Sequence, residues 1–375
     1  MNNKKDIFII AGESSGDQHA ANYINEHLAL NPNISFSAFG QNEIKKTSAK
    51  LIYDTENISV IGIVEVIAKY KEISNALNIA KNYIKENKPN LIILVDYIEF
   101  NLKVAKYAKQ LNIPVLFYIA PQVWAWREKR AKGFMNTIDH LAVIFPFEEK
   151  FFKKYSNNVT YVGHPLNKRK DLQQSMIDYE LRTIDLGIFP GSRESEIKNN
   201  LHIMLDCVQK NKNEKVRIFY ANETSKTILL KLLPESYHDY LVSGKDIDKV
   251  RNCKKALCAS GTITLELAMH KVPMIIVYKL SYISYLIMRS LVKVQYIGLV
   301  NLILGDNMGS EQIVNEYIQP SYSDQVDIMV ELNKIDSDEI YRDEMISGYE
   351  KLNDKLSTQP SENLAAVANR LIDSI

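Results

Sequence analysis

The amino-acid sequence predicts an α/β chain of two doubly wound, Rossmann-like domains. Short β-rich apolar runs alternate with segments of helical period, the signature of a parallel sheet covered by helices. The alternation pauses at a polar stretch near the middle and then starts again. The length of 375 residues matches two domains of roughly 150 residues each, with a core apiece.

In the first half, strands are expected at 7–10, 35–39, 91–95, 115–118, 141–145 and 160–162. Amphipathic helices are expected at 101–111 and at 147–155, the second opening just after Pro146. This domain is assigned to 1–166. A polar segment without apolar periodicity follows Gly163, and 167–183 is assigned as a linker. The second domain, 184–345, carries expected strands at 185–189, 216–220, 256–258 and 274–277, with helices at 196–210, 225–233 and 263–269. A helical segment, 346–375, ends the chain; its part at 361–374 opens on Ser361 and Glu362 and reads as a capped helix. There is no internal repeat and no low-complexity stretch.

Charge and cysteine content narrow the function classes. Lys and Arg total 46 against 45 Asp and Glu, a net +1, so no global charge excess points to a nucleic-acid coat. With 46% hydrophobic and 24% charged residues the chain lies in the globular range, far from disorder. Cys207, Cys253 and Cys258 form no CxxC pair and are odd in number, which fits buried reduced thiols in a cytoplasmic compartment. The first apolar run, 7–11, is too short for a signal-peptide core. The longest, 272–294, is broken by Lys279, Arg289 and Lys293, so no transmembrane helix is expected.

Several strand-to-helix turns carry candidate chemistry. Pro190-Gly191-Ser192-Arg193 follows a strand and enters a helix; glycine lets backbone amides approach a phosphate, and Arg193 offers a bidentate clamp. No GK[ST] follows, so nucleotide hydrolysis is not implied; an ordinary βα turn with a surface arginine is the plainer alternative. The turn Ser260-Gly261-Thr262 repeats the arrangement, with Glu266 one helical turn on. Alone it is a good helix cap. Two such turns in one domain, with an acid suited to a ribose diol, point to a nucleotide diphosphate.

In the first domain, Gly12-Glu13-Ser14-Ser15-Gly16-Asp17 does not match G-x-G-x-x-G, and its acids would repel phosphate. It suits sugar hydroxyls, or serves only as a capped turn. Asp96 and Glu99 follow the strand 91–95, at the strand end where ligands of open α/β sheets bind and a general base is needed; solvated loop acids are the alternative. Trp124 and Trp126 sit beside Arg127, Lys129 and Arg130, a grouping suited to an anionic membrane surface or to core tryptophans with a solvated basic face. The stretch 267–305 has basic and aromatic residues and no Asp or Glu, which favours the lipid reading. Nothing resembles a nucleic-acid reader, and no nucleic-acid partner is expected.

These segments, in this order, resemble the lipid-A-disaccharide synthase family. The matching pieces are IIAGESSGD at the start, ISVIGIVEV from Ile58, IAPQVWAWREKR from Ile119, FPFE from Phe145, YVGHPL from Tyr161, FPGSRESEI from Phe189 and ASGTITLE from Ala259. Asn301-Leu302 and the stretch 314–319 complete the series. The resemblance implies an inverting glycosyltransferase of GT-B type, its two domains facing a central cleft and its C-terminal helix returning to the first domain. It further implies that 2,3-diacylglucosamine passes from UDP-2,3-diacylglucosamine to 2,3-diacylglucosamine 1-phosphate, giving the β-1,6-linked disaccharide 1-phosphate and UDP. No cofactor and no metal are implied, the UDP-sugar being a substrate.

On this reading Ser192, Arg193, Ser260, Gly261, Thr262, Glu266 and Asn301 hold the donor, while Glu13, Ser14, Ser15, Gly16 and Asp17 face the acceptor sugar. Attachment is expected at the cytoplasmic face of the inner membrane, with Trp124, Trp126, Arg127, Lys129 and Arg130 toward the lipid. A homodimer is admitted, since family members can exchange C-terminal parts between protomers. The chain also departs from the family pattern. Where the family resembles D-A-P-D-F-N, this chain reads Asp96-Tyr97-Ile98-Glu99-Phe100-Asn101, so Glu99 replaces the aspartate taken as the base. The segment after Asn301 differs from the family's P-N-x-x-A-G-R and is longer. Two other functions share the architecture: a UDP-sugar 2-epimerase, which needs no lipid surface, and a catalytically silent UDP-lipid binding protein.

Overall fold

The computed structural model describes residues 4–58, 69–126, 128–168, 177–208, 215–280, 285, 296–304 and 312–374. The chain divides into two compact units, one of Met1–Pro165 with Thr358–Ile375 and one of Leu166–Ser357.

The first unit is built on a seven-stranded sheet of order β3-β2-β1-β4-β5-β6-β7. Its strands are β1 Lys5–Ala11, β2 Ile34–Gly40, β3 Lys50–Asp54, β4 Leu91–Val95, β5 Val115–Tyr118, β6 His140–Val143 and β7 Val159–Tyr161. Every pairing is parallel. Residues Ile7 to Ala11 and Leu91 to Val95 are fully buried, because helices cover both faces of a parallel sheet and alternation gives way to continuous apolar runs.

The helix Leu364–Asp373 belongs to this unit. Asn369 Oδ1 lies 3.2 Å from His27 Nε2, and His27 Nδ1 lies 2.7 Å from the Tyr23 hydroxyl. The helix is capped by Asn363, whose Oδ1 accepts from the Ala366 amide at 2.9 Å, rather than by Ser361. Glu362 instead pairs with Arg370 at 2.9 Å.

The second unit has a six-stranded sheet of order β10-β9-β8-β11-β12-β13. The strands are β8 Ile184–Phe189, β9 Val216–Tyr220, β10 Leu241–Ser243, β11 Cys253–Cys258, β12 Met274–Tyr278 and β13 Glu316–Ile318, again all parallel. The stretch expected as a linker is partly built into this unit. Arg182 is buried and donates to the carbonyls of Cys253 at 2.9 Å, His270 at 3.3 Å and Lys271 at 3.0 Å. The boundary expected at 346 also moves: the helix Glu339–Leu356 stays in the second unit, and only the chain from Thr358 onward joins the first.

Strands β3, β10 and β13 were not legible in the sequence. Each is a sheet edge with mostly half-buried or exposed residues, so none carries the apolar run that marks an interior strand. All three cysteines are buried thiols outside any disulfide.

Candidate active site

Both sheets present a topological switch point, where the strand order reverses and a crevice opens outside the carboxyl ends of two neighbouring strands. In the first unit it falls between β1 and β4, in the second between β8 and β11. The four turns singled out in the sequence leave these four strands.

After β1, Gly12 is packed so closely that a Cβ would collide with the ring of Tyr97. The helix Ser14–Leu30 then begins. Glu13 is half-buried, Ser15 exposed and Gly16 buried; the Ser14 side chain lies outside the described residues. Asp17 departs from its expected sugar-facing role. It is 1% exposed, and its carboxylate accepts from the amides of Gln41 at 2.6 Å and Glu43 at 2.7 Å. Burial raises its pKa, with the two amides opposing. Asp17 therefore ties the helix to the end of β2, where Gly40 leaves room for its oxygen.

After β4, Asp96 and Tyr97 are consecutive non-glycine residues with φ of 49° and 45°, a left-handed pair that costs energy and clusters at functional sites. Asn101, fully buried, holds the turn by donating from Nδ2 to the carbonyls of Val95 at 3.2 Å and Asp96 at 2.7 Å. The turn lifts Glu99 into solvent, with its side chain 78% exposed and 3.0 Å from Arg130 Nη1. An exposed pair of this kind is worth at most about 1 kcal/mol, so the carboxylate can be turned to a substrate cheaply. Asp96 is half-buried.

Trp124 is a second correction. It is 7% exposed, its ring meets Phe147 edge-on at 5.0 Å, and its Nε1 donates to Glu148 Oε1 at 3.1 Å. A buried indole needs such an acceptor, so Trp124 belongs to the core and not to a membrane face. Arg127 and the Trp126 side chain lie outside the described residues, as do 59–68 and most of 281–295. Lys129 and Arg130 are exposed. Glu148 is itself buried, which pushes its carboxyl up to about 8.

Two histidines join this region without having been foreseen. His164 stacks on Phe145 at 5.1 Å and burial lowers it to about 3; His19 is lowered to about 4 by the same cause. Both are neutral at pH 7. The only sequence signal for His164 was its place in the YVGHPL segment.

In the second unit, β8 ends at Phe189 and the helix Glu194–Val208 starts soon after the strand, at Glu194. Gly191 has φ of 121°, which glycine supplies at no steric cost. Glu196 curls back over the turn. Its Oε2 accepts from the amides of Ser192 at 3.2 Å and Arg193 at 3.4 Å, and its Oε1 lies 2.9 Å from Arg193 Nη1. The turn is thus an anion nest with a carboxylate in it. Asn200 fixes the turn from beneath, donating to the Pro190 carbonyl at 3.3 Å and accepting from the Lys279 amide at 2.7 Å.

The neighbouring turn is joined to it by the Ala259 amide, which donates to the Phe189 carbonyl at 2.8 Å. Ser260 donates to the Ile297 carbonyl at 2.9 Å, Thr262 is exposed and Glu266 half-buried, and Gly261 faces open space. Asn301 departs from its expected donor contact. It is fully buried and donates to the Val314 carbonyl at 2.8 Å and Glu316 Oε1 at 2.7 Å while accepting from the Ile313 amide at 2.8 Å and the Val314 amide at 3.2 Å. Its amide is spent inside the protein. Among the described residues there is no group of three or more metal-ligating side chains.

The model of the lipid-A-disaccharide synthetase family matches residues 7–367. The lipid-A-disaccharide synthase of Nitrosococcus oceani is 35% identical over 318 residues, 82% of each chain. That of Geobacter sulfurreducens is 34% identical over 380 residues, 98% of this chain and 97% of the relative. Among solved structures, a glycosyltransferase of kitacinnamycin aligns with TM-score 0.60 and 12% identity over 98% of this chain and 99% of its own. The UDP-N-acetylglucosamine 2-epimerase of Rickettsia bellii aligns with TM-score 0.59 and 14% identity over 99% and 98%. At such identities the structural likeness speaks for the GT-B type of α/β fold alone.

Proposed function

This chain belongs to the lipid-A-disaccharide synthase family and is a glycosyltransferase of lipid A biosynthesis; on that premise we propose how its residues divide the reaction. The donor is UDP-2,3-diacylglucosamine and the acceptor 2,3-diacylglucosamine 1-phosphate. The acceptor's 6-hydroxyl attacks the anomeric carbon, the bond from that carbon to the diphosphate oxygen breaks, and UDP leaves with the electron pair. One displacement inverts the α-linked donor to a β-1,6 linkage.

The second unit grips the leaving diphosphate. The observation that carries this is the nest at Ser192 and Arg193, whose two amides and guanidinium already converge on a carboxylate. In many enzymes, preorganised donors aimed at developing negative charge contribute more to the rate than any other single effect. Ser260, Gly261 and Thr262 border the same strand ends, with Glu266 toward the ribose. With this positive field in place the reaction uses no cofactor.

The first unit receives the acceptor. Glu99 takes the proton of the 6-hydroxyl, and Glu13 and Ser15 meet sugar hydroxyls. Lys129 and Arg130 carry a basic surface to an anionic leaflet, and the enzyme acts as a peripheral protein on the cytoplasmic face of the inner membrane. No described helix is long and apolar enough to cross a membrane. A UDP-sugar 2-epimerase shares only the fold.

Mass spectrometry of products tests the reading. With both substrates present, the disaccharide 1-phosphate and UDP are expected in equal amounts. A 2-epimer formed from the donor alone, or binding of UDP-diacylglucosamine without turnover, would overturn it.

A further inference from the structure

The turn that carries Glu99 lacks the residue that would normally stiffen it. The first helical position is Ile98, and a β-branched residue does not preset φ for the helix start as proline would. The two residues before it stand in the left-handed region, which disfavours them on their own. Asn101 holds the carbonyls of Val95 and Asp96, and a second side chain holds the turn from the other side.

Tyr97 makes contacts on three sides. Its ring lies over Gly12, where even a methyl group would collide with it, and stacks on Phe100 with centroids 5.4 Å apart. Its hydroxyl donates to the Ile58 carbonyl at 2.8 Å. Its backbone carbonyl accepts from the Asn101 amide at 3.1 Å, closing the first turn of the helix Ile98–Gln110. One side chain therefore joins the β4 turn to the β1 turn and to the chain after β3. An alanine side chain could make none of these ring and hydroxyl contacts.

We propose that Tyr97 is a positioning residue for Glu99. Its ring and hydroxyl fix from the side the helix start that delivers the carboxylate; a shift of about 1 Å in such a group can cost about 100-fold in rate. The positioning role rests on Glu99 being the base, whereas the clasp itself rests only on contacts within the first unit.

Two measurements test it. Hydrogen exchange on the full chain compares the wild type with Tyr97→Phe and Tyr97→Ala. With alanine, the peptides covering 12–17 and 96–101 are expected to exchange at least about tenfold faster, while the second unit is unchanged. Phenylalanine, which keeps the ring on Gly12 and loses the bond to Ile58, is expected to fall between. Unchanged exchange at 12–17 in Tyr97→Ala would overturn the clasp, whatever the enzyme's turnover.

The second measurement is kinetic. Tyr97→Phe, which retains the fold, is expected to lower kcat about 3- to 10-fold with KM for the UDP donor within about twofold, as loss of one hydrogen bond allows. Tyr97→Ala, which also loses the ring contact with Gly12, is expected to lower kcat further, by at least about tenfold. Wild-type kcat in both variants would overturn the positioning role. Should Glu99→Gln retain wild-type turnover, the base assignment falls, and the exchange data still decide the clasp.

Discussion

Glu196 holds Arg193 in the very loop that the donor diphosphate would enter, with Oε1 2.9 Å from Nη1 and Oε2 on the amides of residues 192 and 193. The carboxylate is only 12% exposed and the guanidinium 45% exposed. Glu196 thus occupies the nest as a diphosphate would, and in the proposed donor site UDP must share it or displace it. Arg193→Ala should weaken UDP binding about 10- to 100-fold, the loss of one charge-assisted contact of about 1.5–3 kcal/mol. Glu196→Gln, which removes the competing charge, should tighten UDP several-fold. Titration calorimetry with UDP reads both; unchanged affinity in Arg193→Ala would sink the assignment.

Glu99→Gln should lower turnover about 100- to 10,000-fold, the usual contribution of a positioned base, with UDP affinity nearly unchanged. Asp96→Asn is the control. If it is the inactive variant and Glu99→Gln is not, the base is Asp96; if both stay active, Glu13 is next to be tested.

The joint effect on stability of four groups shifted by burial should pass through a maximum at about pH 7. Glu148 is raised from 4.5 to about 8 when folded, so the folded state binds the extra proton and stability falls as pH rises through that window. His19, His140 and His164 are lowered from 6.5 to about 4, 4 and 3. There the unfolded chain binds the extra protons, and stability climbs until the unfolded histidines have lost them, about one unit above 6.5. The opposing slopes overlap up to about pH 7.5, and Glu148 acts alone among these four above that. Melting temperatures from about pH 7.5 to about 9 should decline in the wild type and decline less in Glu148→Gln; a parallel decline in both would refute this.

Asn301→Ala should damage the fold and spare the ligand. It leaves two backbone amides without their acceptor and takes one donor from the half-buried Glu316; an unmet buried amide costs about 1–3 kcal/mol. Thermal unfolding should shift down by several degrees, while UDP affinity measured below the transition stays within about twofold. A normal melting curve with lost UDP binding would restore the donor role that the sequence implied.

Flotation with vesicles should show salt-sensitive attachment to anionic lipid, at about 1 kcal/mol per basic residue near the surface. Lys129→Ala/Arg130→Ala should reduce recovery at low salt. Trp124→Phe should act instead through stability, because that indole is bonded to Glu148. Equal recovery on neutral and anionic vesicles would argue against the electrostatic part.

What could be read in the sequence follows from how locally each feature is encoded. Leu91–Val95, Val115–Tyr118 and Val216–Tyr220 were legible to the residue, being interior runs bounded by polar turns. The edge strands needed a neighbour to define them. The PGSR turn is a local signal, and its phosphate-like geometry was visible as glycine, amides and arginine in a row. That Glu196 would occupy it was not, since this depends on where a side chain folds back. Tryptophan beside arginine and lysine reads alike whether the ring faces lipid or core; only the pairing of Trp124 with Glu148, 24 residues on, tells them apart. Asn301 and Asp17 misled for the same reason, being polar helix residues whose partners come from segments further along the chain.

The placement of the helix Leu364–Asp373 in the first unit has a consequence for biosynthesis. The first unit is begun first on the ribosome but finished last, because all of Leu166–Ser357 must emerge before its closing helix does. At about 5–20 residues per second that interval is roughly 10–40 s. Until then His27 and the face of β4 that the helix packs on lie bare in the nascent chain, while the second unit has its full sequence and can already fold. The unit proposed to receive the acceptor is therefore the later one to mature.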